Sequence, residues 1–284
     1  MFAPSPIESI SFEGYDFFIK RDDLISKEFS GNKARKLYYY LINDFPNIKK
    51  IISYGSIQSN SMYSISVLAK LKGLEFEYFT DHIPSYIEQN PQGNYLYALN
   101  NGMKLHISKP NFDKNDKSIL FIEEGARDKK AQYGLKVLAD EIIKYKKENS
   151  IDKLDIFLPS GTGTTALYLQ KYMPHSTIYT TPCVGDSSYL LEQFNMLESD
   201  KSIYPKILSI DKKHHFGKLY RENYEIWLKL QTQTKIEFDL LYDPLGWRVL
   251  LSNIDRFSNP ILYIHQGGLL GNESMLKRYK RKYN

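Results

Sequence analysis

The chain has a single cysteine, Cys183, so no internal disulfide framework can form and a reducing compartment fits. No apolar run is long enough for a membrane span. The opening residues MFAPSPIESI lack a basic stretch followed by an apolar one, so no signal peptide is expected. These absences point to a cytoplasmic protein with no membrane partner. Charge of one sign is also scarce. The net charge is +5, and no basic stripe interleaved with aromatics appears, so nucleic acid is not an expected partner. The basic patches, Lys212-Lys213-His214-His215 and the tail LKRYKRKYN, read as a solvated face and a frayed end. The six histidines and one cysteine show no metal-ligand spacing, so no metal site is expected.

What is present supports a folded core. Of 284 residues, 42% are hydrophobic and 25% charged, which suits one large or two ordinary soluble domains. Strand-like apolar runs cover 50–55, 74–80, 104–107, 118–125, 154–161, 177–184, 206–210 and 260–268. Several are continuously apolar, as parallel strands covered on both faces must be. Helical periodicity lies between them. Met62, Ile65 and Ala69 share a face that Gly73 closes. Leu135, Leu138, Ala139, Ile142 and Ile143 mark a helix over 131–147. TGTTALYLQKYM and RENYEIWLKLQTQ also read as helices. The alternation predicts an α/β fold with a parallel sheet. The polar stretch 108–118 reads as a loop, and 146–153 as a crossing between lobes.

Three stretches can carry chemistry. In LPSGTGTTALYL (158–169) an apolar strand runs through a Ser/Gly/Thr loop into a helix. Unpaired N–H groups at Gly161–Thr165, the helix dipole and the Thr162, Thr164 and Thr165 hydroxyls suit a phosphate, although a plain capped turn would look alike. The Walker ending and the dinucleotide GxGxxG are both missing, which weakens NTPase and NAD(P) readings. In SIQSNSMYS (56–64), Ser59 or Asn60 would cap a helix, or else point into a cleft at a strand's carboxyl end. In SGNKARKLYYY (30–40), Lys33 opens a helix, where the dipole's positive end disfavours the charged amine and so favours a nucleophile. Gly31 allows a tight turn and Asn32 can cap. A reactive lysine beside a phosphate loop suggests pyridoxal 5'-phosphate (PLP), whose aldehyde condenses with lysine. Other polar groups read as structural: His265 as a hydrogen-bonded strand end, Cys183 as a small buried hydrophobe, and Glu123-Glu124-Gly125 as a solvated strand end.

Together KRDDL (20–24), GNKARKL (31–37), SIQSN (56–60), SGTGTTALYL (160–169), DPLG (243–246) and YIHQGG (263–268) make the chain resemble the 1-aminocyclopropane-1-carboxylate (ACC) deaminase / D-cysteine desulfhydrase family of fold type II (tryptophan synthase β-like) PLP enzymes. The resemblance implies two open, mostly parallel twisted sheets with flanking helices and PLP in the cleft between a larger domain (1–47 plus 148–284) and a smaller one (48–147). It implies a homodimer, and a lyase or deaminase that releases a 2-oxo acid and ammonia from a small amino acid. Lys33 falls at the Schiff-base lysine, Ser59 at a catalytic serine near the substrate carboxylate, and Asn60 at the partner of the ring hydroxyl. Ser160, Gly161, Thr162, Gly163, Thr164 and Thr165 fall at the phosphate cradle, and Gln266 near the ring nitrogen. Two family tyrosines are replaced, by Phe216 and Gly246. Those replacements keep open a PLP-binding protein whose substrate site has decayed, and a second enzyme reading is β-replacement, as in cysteine synthase relatives.

Overall fold

The computed structural model describes residues 3–26, 28–29, 31–210 and 214–283, so Lys212 and Lys213 of the basic patch lie outside the described residues. The strands are β1 (Ile7–Phe12), β2 (Tyr15–Arg21), β3 (Lys50–Tyr54), β4 (Glu75–Thr80), β5 (Lys104–Ile107), β6 (Ile119–Ile122), β7 (Asp155–Ser160), β8 (Thr177–Pro182), β9 (Lys206–Ile207) and β10 (Ile261–His265). The helices are α1 (Gly31–Ile42), α2 (Asn60–Lys72), α3 (Ser85–Gln89), α4 (Gly93–Asn100), α5 (Ala131–Glu148), α6 (Thr164–Tyr172), α7 (Ser187–Leu197), α8 (Arg221–Thr234), α9 (Asp243–Ser252) and α10 (Asn272–Tyr283). A six-stranded sheet runs β1-β2-β10-β7-β8-β9, and a four-stranded sheet runs β5-β4-β3-β6. All neighbours are parallel except β1 and β2. The α/β architecture with two mostly parallel sheets, expected from the sequence, is the one that forms.

Central strand β7 is buried at every residue, which explains its unbroken apolar run. Its one carboxylate, Asp155, accepts the N–H groups of Ser258 and Asn259 and the Asn259 amide. The β1–β2 hairpin has no counterpart among the expected strands. Its turn is Glu13-Gly14, both at positive φ (49° and 85°), with Phe12 opposite Tyr15. β1 sits at the sheet edge and mixes Glu8, Ser9 and Ser11 with apolar residues, so it gives no continuous run.

One face of the large sheet is covered by a core around Phe238, Trp247 and Tyr263, where the last two rings stack at 4.4 Å. The other face holds Leu135, Leu138 and Ile142 of α5 with Leu167 of α6. The small sheet's core includes Ile51, Ile65, Phe76 and Tyr78, and Leu37 and Tyr40 of α1 join it. So α1 packs with the small sheet and α5 with the large one. Ile143, placed on the buried face of α5 by periodicity, is exposed. The basic tail is the end of α10, with Met275 and Tyr279 buried and Lys280, Arg281 and Lys282 in solvent. No helix of the described residues is long and apolar enough to cross a membrane.

Candidate active site

The carboxyl ends of β3, β7 and β10 open onto one cavity of about 1020 Å³, where open α/β sheets collect ligands. Every site residue expected from the sequence lines it: Lys33, Ser59, Asn60, Ser160–Thr165 and Gln266.

Helix α1 delivers Lys33. A Cβ on Gly31 would lie 2.0 Å from the Gln266 carbonyl oxygen, so only glycine lets α1 start this close to the end of β10. Space, and not a positive φ, is therefore the reason for glycine. Asn32 does not cap the helix. Its backbone N–H donates to Gln266 O and its side-chain amide to Gln266 Oε1, both at 2.9 Å. The Lys33 amine donates to Asn32 Oδ1 at 3.1 Å. Burial lowers its pKa to about 8, against the opposing pull of Asp239.

The KRDDL motif secures this helix from below. Arg35 donates to both oxygens of Glu141 at 2.7 Å and to both oxygens of Asp22 at 2.9 and 3.1 Å. Buried Lys20 donates to Glu141 at 2.6 Å, and Ser5 Oγ to Asp22 at 2.6 Å. Arg21 forks onto Asp23 at 2.8 and 2.9 Å. These charges tie β2, α1 and α5 together; none lines the cavity.

Lys36, which the sequence reading passed over, does line it. It stands one turn after Lys33 and so shares its side of α1, a spacing that could have identified it. Its amine donates to Gly125 O at 3.1 Å and to Thr162 Oγ1 at 3.4 Å, with no carboxylate partner among the described residues. Burial, with Lys33 and Arg127 nearby, pushes its pKa well down. The loop it faces leads into α6 through Gly163, whose φ of 67° needs glycine and whose Cβ would strike Phe194. Thr162 and Thr164 share a hydrogen bond at 3.1 Å, and buried Thr165 Oγ1 has no partner among the described residues. A cation, an orphaned hydroxyl and the free N–H groups of a helix start converge here. Ser160 differs: its hydroxyl is bound to Thr180 at 2.6 Å, inside the sheet.

Ser59 caps α2 by accepting the Ser61 N–H at 3.1 Å. Asn60 Oδ1 accepts from Asn94 at 2.7 Å, and Asn94 is itself fixed on Gln58 O. The Gln266 amide is engaged at both ends, giving to Pro159 O at 2.6 Å and accepting from Asn32. Behind it, His265 is fully buried between Glu237 O and the Gly267 N–H, as a structural residue would be. Cys183 lies in the core, its thiol pKa pushed up by burial.

The far wall departs from the sequence expectation. Gly246 does not line the cavity. A Cβ there would meet Tyr263 and Pro159 in the core. Tyr242, one helical turn earlier, lines it instead, tilted against Phe216 with ring centroids 5.0 Å apart. Burial and Asp239 hold the Tyr242 hydroxyl protonated well above neutral pH. The wall thus keeps a tyrosine hydroxyl, from a position with no family signal. Glu124, expected in solvent at a strand end, also lines the cavity. So does Asp239, which is 1% exposed.

No family model matches the chain. A curated relative from Thermotoga maritima, whose name makes it a candidate ACC deaminase, is 21% identical over 91% of this chain and 90% of its own. Among solved structures, an ACC deaminase homologue superposes with a TM-score of 0.78 at 22% identity, covering 97% of this chain and 94% of that one. The processed form of threonine deaminase isoform 2 from Solanum lycopersicum superposes with a TM-score of 0.68 at 13% identity, covering 100% and 89%.

Proposed function

From the fold type II architecture that these neighbours share with the chain, we propose that it binds PLP through Lys33 and is a lyase or deaminase of a small amino acid. The observation that carries this reading is the pair Lys33 and Lys36. The two amines reach one cavity from one side of α1, neither hydrogen-bonded to a carboxylate. One stands near Asp239, the other at a Gly/Thr loop.

The residues fit the cofactor. Lys36, the orphaned Thr165 hydroxyl and the start of α6 suit its phosphate. An amine with a pKa of about 8 suits its aldehyde. Asn60, steadied by Asn94, suits its ring hydroxyl. When bound, PLP supplies the aldehyde that Lys33 condenses with and a ring that takes up charge from the substrate's α-carbon.

The remaining work belongs to the protein. The free Lys33 amine is a general base for the α-proton. Ser59 accepts the Ser61 N–H and keeps its own proton to donate, so it and the start of α2 suit the substrate carboxylate. Tyr242, protonated at neutral pH, can donate to a leaving group. Phe216 and Tyr242 narrow the wall, which favours a small substrate. The products are a 2-oxo acid and ammonia, with the protonated leaving group (hydrogen sulfide from cysteine) where the β-carbon carries one, in the manner of D-cysteine desulfhydrase or ACC deaminase.

The purified chain should take up PLP and absorb visible light, with the band lost in Lys33→Ala. A chain that stays colourless after PLP addition refutes the proposal. A panel of D- and L-amino acids, assayed for ammonia and 2-oxo acid, then identifies the substrate. A blank panel with PLP bound would instead favour a decayed site, and sulfide-dependent thiol products would favour β-replacement.

A further inference from the structure

Asn94 is buried and does not line the cavity that holds Lys33, yet it touches a residue that does. It is the second residue of α4, and the start of that helix is pinned to the segment after β10 and to α10. The Gly93 N–H donates to Glu273 Oε2 at 3.1 Å. A Cβ on Gly93 would lie 2.9 Å from the Leu270 carbonyl oxygen. From this fixed place Asn94 Nδ2 donates twice, to Gln58 O at 2.9 Å and to Asn60 Oδ1 at 2.7 Å. Its own Oδ1 is buried without a partner among the described residues.

Those contacts orient two amides at once. A backbone carbonyl can only accept, so Gln58 O requires the nitrogen of Asn94 on its side. The same nitrogen meets Asn60, so the Asn60 atom opposite it must be the oxygen. Turning Asn94 over would set oxygen against oxygen at Gln58, and the orphaned Oδ1 is the cost of the orientation it keeps. Asn60 lines the cavity, and with its oxygen held by Asn94 its free end is Nδ2. That nitrogen gives no hydrogen bond among the described residues. The backbone leaves it room. A Cβ on Gly268 would lie 2.5 Å from Asn60 Nδ2, and the Gly268 φ of 90° suits glycine.

We propose that Asn94 is a positioning residue that acts through Asn60: it locks the Asn60 amide so that a donor, and not an acceptor, faces the ring oxygen of the cofactor. Without that lock the amide is free to turn over, and a carbonyl oxygen would then oppose the ring oxygen. A fixed donor favours the ring oxygen in its anionic form, since a hydrogen bond to a charged acceptor is the stronger one. The specificity lies in polarity: the site accepts a ring that carries an acceptor at this position. This role rests on the PLP reading proposed above.

The test compares two ligands on the cofactor-free full chain by equilibrium dialysis: PLP, and 3-deoxypyridoxal 5'-phosphate, which lacks the ring oxygen. Asn94→Leu should weaken PLP by about tenfold and the deoxy compound by less than about twofold. Unchanged PLP binding, or equal loss of both compounds, would overturn the role, because a merely structural residue does not distinguish the two ligands. Asn60→Asp keeps an oxygen for Asn94 to hold and replaces the free donor by a second acceptor. It should weaken PLP by about 100-fold, and the deoxy compound far less. An Asn60→Asp chain that binds PLP as tightly as the wild type would equally overturn the role. This second variant leaves the Asn94 contact in place, so it decides the matter if Asn94→Leu fails to fold. A wild-type chain that binds neither compound sinks the proposed function and this role with it. A wild-type chain that binds PLP, with both compounds lost equally in Asn94→Leu, sinks the role alone.

Discussion

Helix α1 carries two sets of buried cations that differ in what answers them. Below, Arg35 and the neighbouring Lys20 meet Asp22 and Glu141 at hydrogen-bonding distance, so every charge is matched by protein. Above, Lys33 and Lys36 face a cavity and, among the described residues, are hydrogen-bonded to no carboxylate. Burial acts on both sets and lowers the pKa of Lys20 below as it does those of Lys33 and Lys36 above; Arg35, held by Asp22 and Glu141, has its pKa raised. What separates the sets is the carboxylate partner that Lys20 and Arg35 have. A matched buried charge fixes a backbone. An unmatched one marks where a ligand's charge, or the loss of a proton, completes the site.

Removing the reactive end gives the largest change. Lys33→Ala should cost about 10³-fold or more in turnover and abolish the visible band, as measured by steady-state assay and absorbance. Because the wild-type amine is held below its ordinary value, stability contributed by Lys33 is present above the unfolded pKa of 10.5 and lost as pH falls through about 8. Lys33→Met in the cofactor-free chain should therefore be more stable at neutral pH, by about 1–3 kcal/mol in urea titrations. Breaking the matched set acts the opposite way. Arg35→Met leaves buried Asp22 without its cation, and Glu141 with Lys20 alone, and should destabilise the chain by about 3–5 kcal/mol in the same titration.

Lys36→Met sharpens the contrast. It should weaken PLP binding by about 10–100-fold while leaving binding of pyridoxal, which has no phosphate, nearly unchanged. Asp239 supplies a pH signature. Its folded pKa is raised from 3.8 to about 8, so the folded chain holds the extra proton and stability falls as pH rises between those values. In Asp239→Asn that decline should flatten, as read from melting temperature against pH. The smallest effect is expected from Thr165→Val. It removes a hydroxyl with no partner among the described residues, so the cofactor-free chain should be unaffected while PLP binds about fivefold more weakly.

The sequence revealed those parts of the molecule whose physics is local. The parallel strands were visible because strands covered on both faces must be apolar throughout, as β7 is. Ser59 and Gly73 cap α2 where their residue types predict. The β1–β2 hairpin escaped because an edge strand needs no unbroken apolar run. Gly31 stands out in the sequence as a turn residue, but the reason for it lies at Gln266, far along the chain. Tyr242 and Asp239 were illegible for the same cause. Each reaches the cavity only because the segment before α9 crosses back to it, and no spacing records that crossing.

The contact between Gly31 and Gln266 also has a consequence in time. The start of α1 is fixed by β10, a strand made long after it, and β2 joins the large sheet only through that strand. A nascent chain on the ribosome can build the small sheet early, since all its strands lie before residue 123. It cannot aim Lys33 until β10 has emerged. Under the proposed function, capture of the aldehyde is thereby deferred until β10 has been made, and a chain truncated before β10 would lack the strand that places Lys33.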